Sequence, residues 1–437
     1  MASLSRSERW EHALATLAPE REALLAGIDD IHWHDLRHAY GPADDVPNLL
    51  RLLLSDDENV RDDAWHELYS TVWHQNDIYE ATAYVVPFLL RMLSYDGPPG
   101  KASVLGFLTT VAEGCSGLES HVQSEEETIR WREILAKKGQ DLETELRKGR
   151  SAVEATRHAV SEGVPIYFEL LNHQDAEIRR LCLNALACSH ERAGEIVPLL
   201  CALLLTVQDA DTRAEVIEAL DSLMDDGPEA QQFFGGLMQR GENERITLMA
   251  ALALIRRTRE QASDAAVDIV LNAAQKLSQA RHDLSASQDD QTAREIVENR
   301  FYPGWHATGY LSMMRTLVQL GPARAVATLL RMLLLLQDST IAREAAGMLL
   351  DLVFHDGQVQ HKSTALIPYQ QGSEKRRKTE YRSPKPQPPR EASSLTDIQR
   401  TVLAAIAAHD AMWEEEHDLL KLYGLPISRQ ELRQFIA

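Results

Sequence analysis

Three histidines and an aspartate crowd one short stretch, His32, His34, Asp35 and His38, and a fourth histidine, His74, follows Trp73 directly. Imidazole nitrogens and carboxylates are the donors of a zinc site, and His34 with His38 has the i, i+4 spacing that sets two ligands on one face of a helix. The glutamate of a His-Glu-x-x-His arrangement is missing between them and no further ligand can be assigned. Capping, turn hydrogen bonds and packing are the competing uses of these residues, so neither a metal nor a cofactor is assigned. The motifs of covalent and phosphate chemistry are also missing. The chain holds no Gly-x-x-x-x-Gly-Lys-Ser/Thr loop, no Gly-x-Gly-x-x-Gly after a strand and no Gly-x-Ser-x-Gly elbow. Cys115, Cys182, Cys188 and Cys201 form no Cys-x-x-Cys pair, and Cys182 and Cys188 sit among apolar residues as small buried hydrophobes. No catalytic residue follows from this pattern.

The elements that must position those side chains announce themselves through Val-Pro. The dipeptide opens an apolar run at Val46-Pro47, Val86-Pro87, Val164-Pro165 and Val197-Pro198, spaced by about one, two and one units of the ~40 residues of a helical-pair repeat. Proline at the first helical position gives up only an N–H that lacks a partner there anyway, so each Val-Pro predicts a helix start. Apolar stripes follow: Leu49, Leu50, Leu53 and Leu54 in the first unit; Phe168, Leu170 and Leu171 in the third; Leu199, Leu200, Leu203 and Leu204 in the fourth.

After each stripe an acidic turn leads to an arginine, Asp57 to Arg61, Asp175 to Arg179 and Asp209 to Arg213, with a longer variant from Asp338 to Arg343. The aspartate is placed to cap the second helix, and the arginine to pair back to it or to the aspartate of the next unit. This Asp-x-x-x-Arg ladder resembles the HEAT and phycobilisome-lyase-like HEAT repeats, whose stacked Asp and Arg residues tie neighbouring units together. Near the N-terminus, His38-Ala39-Tyr40-Gly41, Trp73-His74-Gln75 and Tyr79-Glu80-Ala81-Thr82-Ala83 resemble turns and helix starts of a bacterial group of uncharacterised HEAT-repeat proteins. That resemblance implies a fold and brings no activity. The expected class is all-α, an α-solenoid of stacked HEAT-like helix pairs with terminal capping helices.

Four changes of texture divide the 437 residues. Residues 1–27 read as an amphipathic capping helix carrying Trp10, Leu14, Leu17, Leu24 and Leu25. Residues 28–357 read as the solenoid, with a charged helical insertion near 119–150 whose apolar seam is Trp131, Ile134 and Leu135, followed by a Ser151/Glu154 capping box. An aromatic stretch, Phe301 to His306, lines a groove or plugs the space between helices. Residues 358–394, basic and then proline-rich, have little to bury and read as a disordered linker. Residues 395–437 refold as a helical hairpin cap with capping boxes at Thr396/Gln399 and Ser428/Glu431.

A formal net charge of −21, from 66 acidic against 45 basic residues, repels a phosphate backbone and suits either solubility, as on any acidic surface, or a basic protein partner. No run reaches the length of a membrane span, and no apolar leader follows Met1, so the expected location is cytoplasmic. A non-catalytic protein-interaction scaffold, or a regulatory or immunity-type binder, is the function these features favour. Its expected contacts are the polar-tipped aromatic residues of the first two units: His34, His38, Tyr40, Trp73, His74 and Tyr79. The alternative use of the same cluster is to plug the N-terminal repeats. The alternative function is a HEAT-like nucleic-acid enzyme such as an alkylbase DNA glycosylase, with Trp33, Trp65, Trp73 and Trp305 as aromatic wall.

Overall fold

A computed structural model describes residues 5–122, 124–241, 243–285, 309–354, 388–414 and 418–437. The aromatic stretch Phe301 to His306, with Trp305, lies outside the described residues, as does the linker up to residue 387. The described chain is mostly helical, its helices packed pairwise, and divides into two compact units, residues 1–207 with 218–224 and residues 208–217 with 225–437.

The first unit begins with α1 (Arg6–Ala15) and α2 (Pro19–Glu22). The single leading helix expected from the sequence is broken between them because Pro19 sits at a new helix start after the extended Ala18. Then α3 (Val46–Leu53) packs on α4 (Glu58–Thr71), and α5 (Glu80–Met92) on α6 (Lys101–Glu113). The apolar spacing accounts for these pairs: Leu49, Leu50, Leu53 and Leu54 are buried as expected, against the i, i+4, i+8 row Val60, Ala64 and Leu68.

The charged segment forms α7 (Gly117–His121), α8 (Glu125–Lys137) and α9 (Leu142–Ser161). Leu135 packs with Leu142 and Leu146, and Trp131, Leu118 and Val122 cover this small separate core. Ser151 caps nothing. Asp141 starts α9 by accepting from Thr144 N–H, and the helix runs through Ser151 without a break.

The repeats resume with α10 (Val164–Leu170) on α11 (Ala176–Ala187), then α12 (Ala193–Thr206) and α13 (Ala210–Leu223). The stripes assigned to α10 and α12 need correction. Tyr167, not Phe168, is the fully buried anchor of α10, its hydroxyl donating to Val160 O at 2.9 Å. On α12 the core row is Ile196, Leu200 and Leu204, whereas Leu199 is exposed.

Only two of the four Val-Pro pairs start helices. Pro47 and Pro165 stand in the first turns of α3 and α10, but Pro87 and Pro198 lie inside α5 and α12. Both internal prolines are exposed. The carbonyl that each releases four residues earlier shares that face and can bond water, which lets the helix continue.

The Asp-x-x-x-Arg ladder also resolves differently. Asp57 and Asp175 cap α4 and α11, accepting from Asn59 and Glu177 N–H at 2.9 Å each. The arginines do not reach back to them. Arg61 Nη1 donates to Ser55 O at 2.9 Å and Asp56 O at 3.0 Å, and Arg179 Nη1 donates to His173 O at 2.8 Å and Gln174 O at 2.9 Å. Each guanidinium therefore satisfies two carbonyls of its own interhelical turn, including ones orphaned at the end of the preceding helix.

The second unit carries α14 (Pro228–Arg240), α15 (Glu244–Thr258), α16 (Asp264–Ser285), α17 (Gly309–Val318), α18 (Pro322–Leu335) and α19 (Ser339–Phe354). Central α15 contacts α14, α16 and α17, which is why residues Leu248 to Ala253 are buried on every side. Then α20 (Asp397–Ala408) and α21 (Arg429–Ile436) follow. The Thr396/Gln399 capping box forms, and Gln399 also donates to Val353 O at 2.8 Å. Between α20 and α21 the chain makes 3-10 turns in which Leu420 and Tyr423 are buried, and Tyr423 OH donates to Asp351 Oδ1 at 2.7 Å.

The all-α expectation describes this frame but omits two small antiparallel hairpins of the first unit. In one, β1 (Arg37–His38) pairs with β2 (Gly41–Pro42); in the other, β3 (Trp73–His74) pairs with β4 (Asp77–Ile78).

Candidate functional site

The first hairpin hangs from the end of α4, where Ala39 N–H donates to Thr71 O at 2.9 Å. Its turn is locked by His38. Tyr40 N–H donates to Nδ1 at 3.0 Å, so that nitrogen carries no proton and Nε2–H is the donor to Asp45 Oδ1 at 2.9 Å. Gly41 follows at φ +140°, a backbone angle that a side chain would strain. His38 is therefore buried hinge material, while Tyr40, at the tip, is 69% exposed.

The second hairpin turns through Gln75 and Asn76, both left-handed at φ 52° and 71°, as a two-residue loop of the type I′ kind requires. It is fixed from three sides. Thr82, fully buried, donates its hydroxyl to Val72 O at 2.5 Å and accepts from Tyr79 N–H at 3.1 Å, which ties the start of α5 to the end of α4. Cys115 N–H donates to Asn76 O at 2.9 Å and Ile78 N–H to Cys115 O at 3.0 Å. Gly117 N–H donates to Asp77 Oδ1 at 2.5 Å, and a Cβ at Gly117 would collide with that carboxylate.

Successive strand residues face opposite ways, and β3 divides its two aromatic residues accordingly. Trp73 turns toward Tyr69, edge-on at 6.1 Å, and Tyr69 in turn packs edge-on against the buried Phe107 at 4.8 Å, with Trp65 5.5 Å from the same Phe107. Burial pushes the Tyr69 hydroxyl up to about 12. His74 turns the other way and meets Tyr40, ring centroids 5.6 Å apart and nearly perpendicular.

Asp77, the cross-strand partner of His74, shares its face, and the Tyr79 hydroxyl is directed at the Asp77 carboxylate. Both groups titrate higher than usual. Burial raises Asp77, partly offset by the Gly117 N–H and by Tyr79; burial and then the Asp77 charge raise Tyr79.

His34 stands apart from this group. It is exposed, and its Nδ1 lies 3.0 Å from Asp44 Oδ2, a contact that raises the imidazole above its ordinary value. With His32, Asp29, Asp35 and Asp44 it borders a recess of about 430 Å³. His34 and His38 thus turn to different carboxylates, Asp44 and Asp45. Among the described residues, no group of three or more His, Cys, Asp or Glu is placed to hold a metal ion.

Of the six residues named from sequence, the structure brings together Tyr40, His74 and Tyr79; His38 and Trp73 serve the hairpins from within, and His34 lies on the neighbouring recess. Asp77 was missed. Its signal was present as a turn, Gln75-Asn76, flanked by Trp73-His74 and by Asp77-Ile78, a hairpin pattern shorter than the runs by which strands are usually read.

Among the described residues no helix is long and apolar enough to cross a membrane. No curated protein matches the chain. Residues 164–255, from α10 into α15, match the family described as HEAT repeats, helix pairs that typically mediate protein binding.

Proposed function

We propose that this chain is a non-catalytic interaction scaffold whose contact surface is carried by the two hairpins of its first unit, and that its partner is a basic protein. The observation that carries the reading is the exposed Tyr40 ring over His74 beside Tyr79 and Asp77. An amphipathic ring left 69% exposed on a turn held by the Ala39 N–H to Thr71 O and Tyr40 N–H to His38 Nδ1 bonds is pre-ordered for contact. Tyrosine and histidine supply apolar area with a polar tip, the composition of interface centres. Asp44, Asp45 and Asp77 border the hairpins, and together with the net charge of −21 they favour a cationic face over a phosphate backbone. One form of this reading is a regulatory or immunity-type antagonist that covers a basic effector.

The test is capture from a native lysate at low salt with the wild type, with Tyr40→Ala/His74→Ala, and with Trp73→Ala. The protein retained by wild type is then purified and titrated against all three at low and high salt. A basic partner whose affinity falls at least about thirtyfold with the tip pair, roughly 2 kcal/mol, and falls again with salt is the expected result. Binding indifferent to both the tip pair and the salt would remove the proposal.

A further inference from the structure

The hairpin tips combine three features that answer one chemical class. Tyr40 offers an open ring face. His74 stands steeply inclined to it, ring centroids 5.6 Å apart. Asp77 is the cross-strand partner of His74 and so lies on the same face of its hairpin, and Tyr79 directs its hydroxyl at that carboxylate. A phenol that donates its proton to a carboxylate keeps its oxygen lone pairs for another donor and is made more electron-rich by the charge behind it. Asp77 is in turn held by Gly117 N–H at 2.5 Å, so the carboxylate cannot swing away from the site.

From this arrangement we propose that the tips form a receptor for one arginine side chain of the partner, the guanidinium stacking on Tyr40 while an N–H donates to the Tyr79 oxygen, with Asp77 supplying the counter-charge. A planar, delocalised cation lies flat on a ring and still presents donors in its own plane, which an ammonium cannot do with the same geometry. The negative charge of the chain draws many cations to many places; the ring, the phenol and the carboxylate distinguish this one. The inference rests on the scaffold reading and names the partner group that its contact surface takes.

The probe is a short capped peptide, acetyl-Gly-Arg-Gly-amide, titrated into the full chain carrying isotope-labelled histidine and tyrosine, beside its citrulline and lysine counterparts. Shifts at Tyr40, His74 and Tyr79 with the arginine peptide are expected, with about tenfold weaker binding for lysine and none for citrulline, which has the same shape without the charge. Tyr40→Ala and Asp77→Asn should each weaken the arginine peptide about tenfold. Tyr40→Phe, which keeps the ring, should bind as wild type. Citrulline binding equal to arginine, lysine equal to arginine, or arginine binding unaffected by Tyr40→Ala would each overturn the arginine receptor. If the captured protein is still lost on Tyr40→Ala/His74→Ala while the arginine peptide shifts nothing, the scaffold reading stands and this inference falls. If the captured protein survives the tip pair, the scaffold reading has failed at this surface.

Discussion

Tyr40 and His74 meet edge-on with ring centroids 5.6 Å apart, each from the tip region of a different hairpin, while Trp73, the immediate neighbour of His74, points the opposite way and stands 6.1 Å from Tyr69. One strand residue serves the surface and the next serves the interior. Removal of each should therefore read out differently. Tyr40→Ala is expected to change unfolding free energy by no more than about 0.5 kcal/mol, whereas Trp73→Ala opens a hole beside Tyr69 and should cost about 3 kcal/mol. Urea unfolding of the two variants checks this. Equal costs would mean that Trp73 does not serve the interior while Tyr40 serves the surface.

Arg61 and Arg179 bond the carbonyls of their own turns and not the capping aspartates four residues before them. Deleting Arg61 should cost about 1.5–3 kcal/mol, since charged hydrogen bonds to two turn carbonyls are lost, and Asp57→Ala about 1 kcal/mol as a lost cap. The informative quantity is the double variant. If the two side chains act on separate backbone groups, the costs add within about 0.5 kcal/mol. A larger coupling between Asp57 and Arg61 in a double-mutant cycle would restore the ion-pair ladder that the spacing alone suggests.

This contrast marks how far the sequence could be read. Apolar periodicity is set by the helix itself, so Leu49, Leu50, Leu53 and Leu54 were legible as core, and Asp57, Asp175 and Thr396 were legible as caps because a cap acts on backbone only two or three residues away. Val-Pro carried less information. A proline tolerates either the first turn or an exposed interior position, and only the surrounding packing separates Pro47 from Pro87. The destination of a long guanidinium was also not legible, because a carboxylate and two carbonyls lie within its reach. The candidate surface was visible as a list of aromatic and histidine residues but not as a geometry. Two-residue strands leave no alternation to detect, and without them the opposite facing of Trp73 and His74, and the presence of Asp77 behind Tyr79, had no sequence signal strong enough to use.

His34 offers a direct check on the electrostatics of the neighbouring recess. The hydrogen bond to Asp44, and then that carboxylate's charge, lift the imidazole above its ordinary value. The folded protein therefore holds this proton more tightly than the unfolded chain. The stabilisation is complete below the ordinary histidine value and is lost as pH rises through the lifted one. An NMR titration should place His34 above 6.5, the ordinary value, and Asp44→Asn should bring it down. An unchanged midpoint in that variant would show that the contact does not persist in solution.

Asp77 has the opposite linkage. Burial raises it and outweighs the Gly117 N–H and the Tyr79 hydroxyl that favour its charged form. A carboxyl raised in the folded state costs stability at neutral pH, and that cost disappears as pH falls through the raised value toward the ordinary carboxylate range. Asp77→Asn keeps an acceptor for Gly117 N–H without the charge. It should raise the urea midpoint at pH 7, with the gain shrinking toward pH 4, while weakening capture of a cationic partner. A gain in stability with a loss of binding is the signature of a charge held for recognition. Loss of stability at pH 7 would instead make Asp77 a structural tie of the hairpin.

Arg281 and Asp338 form a different kind of charged pair, buried within the second unit at 2% and 7% side-chain exposure with Nε 2.9 Å from Oδ2. Asp338 does three things at once. Its Oδ1 accepts from Ile341 N–H at 2.9 Å to start α19, its other oxygen meets Arg281, and its own N–H donates to Ser278 Oγ at 3.0 Å. The aspartate at this position is thus both cap and inter-helix tie. Asp338→Ala removes the α19 cap and the buried contact with Arg281 together and should cost about 3–5 kcal/mol. Asp338→Asn keeps the cap but not the charge, and part of its cost should vanish when Arg281→Met is added, since both changes then act on one contact. Thermal or urea unfolding of the three variants decides the matter: if Arg281→Met fails to rescue Asp338→Asn, the pair is not the tie between α16 and α19, and the cap alone explains the aspartate.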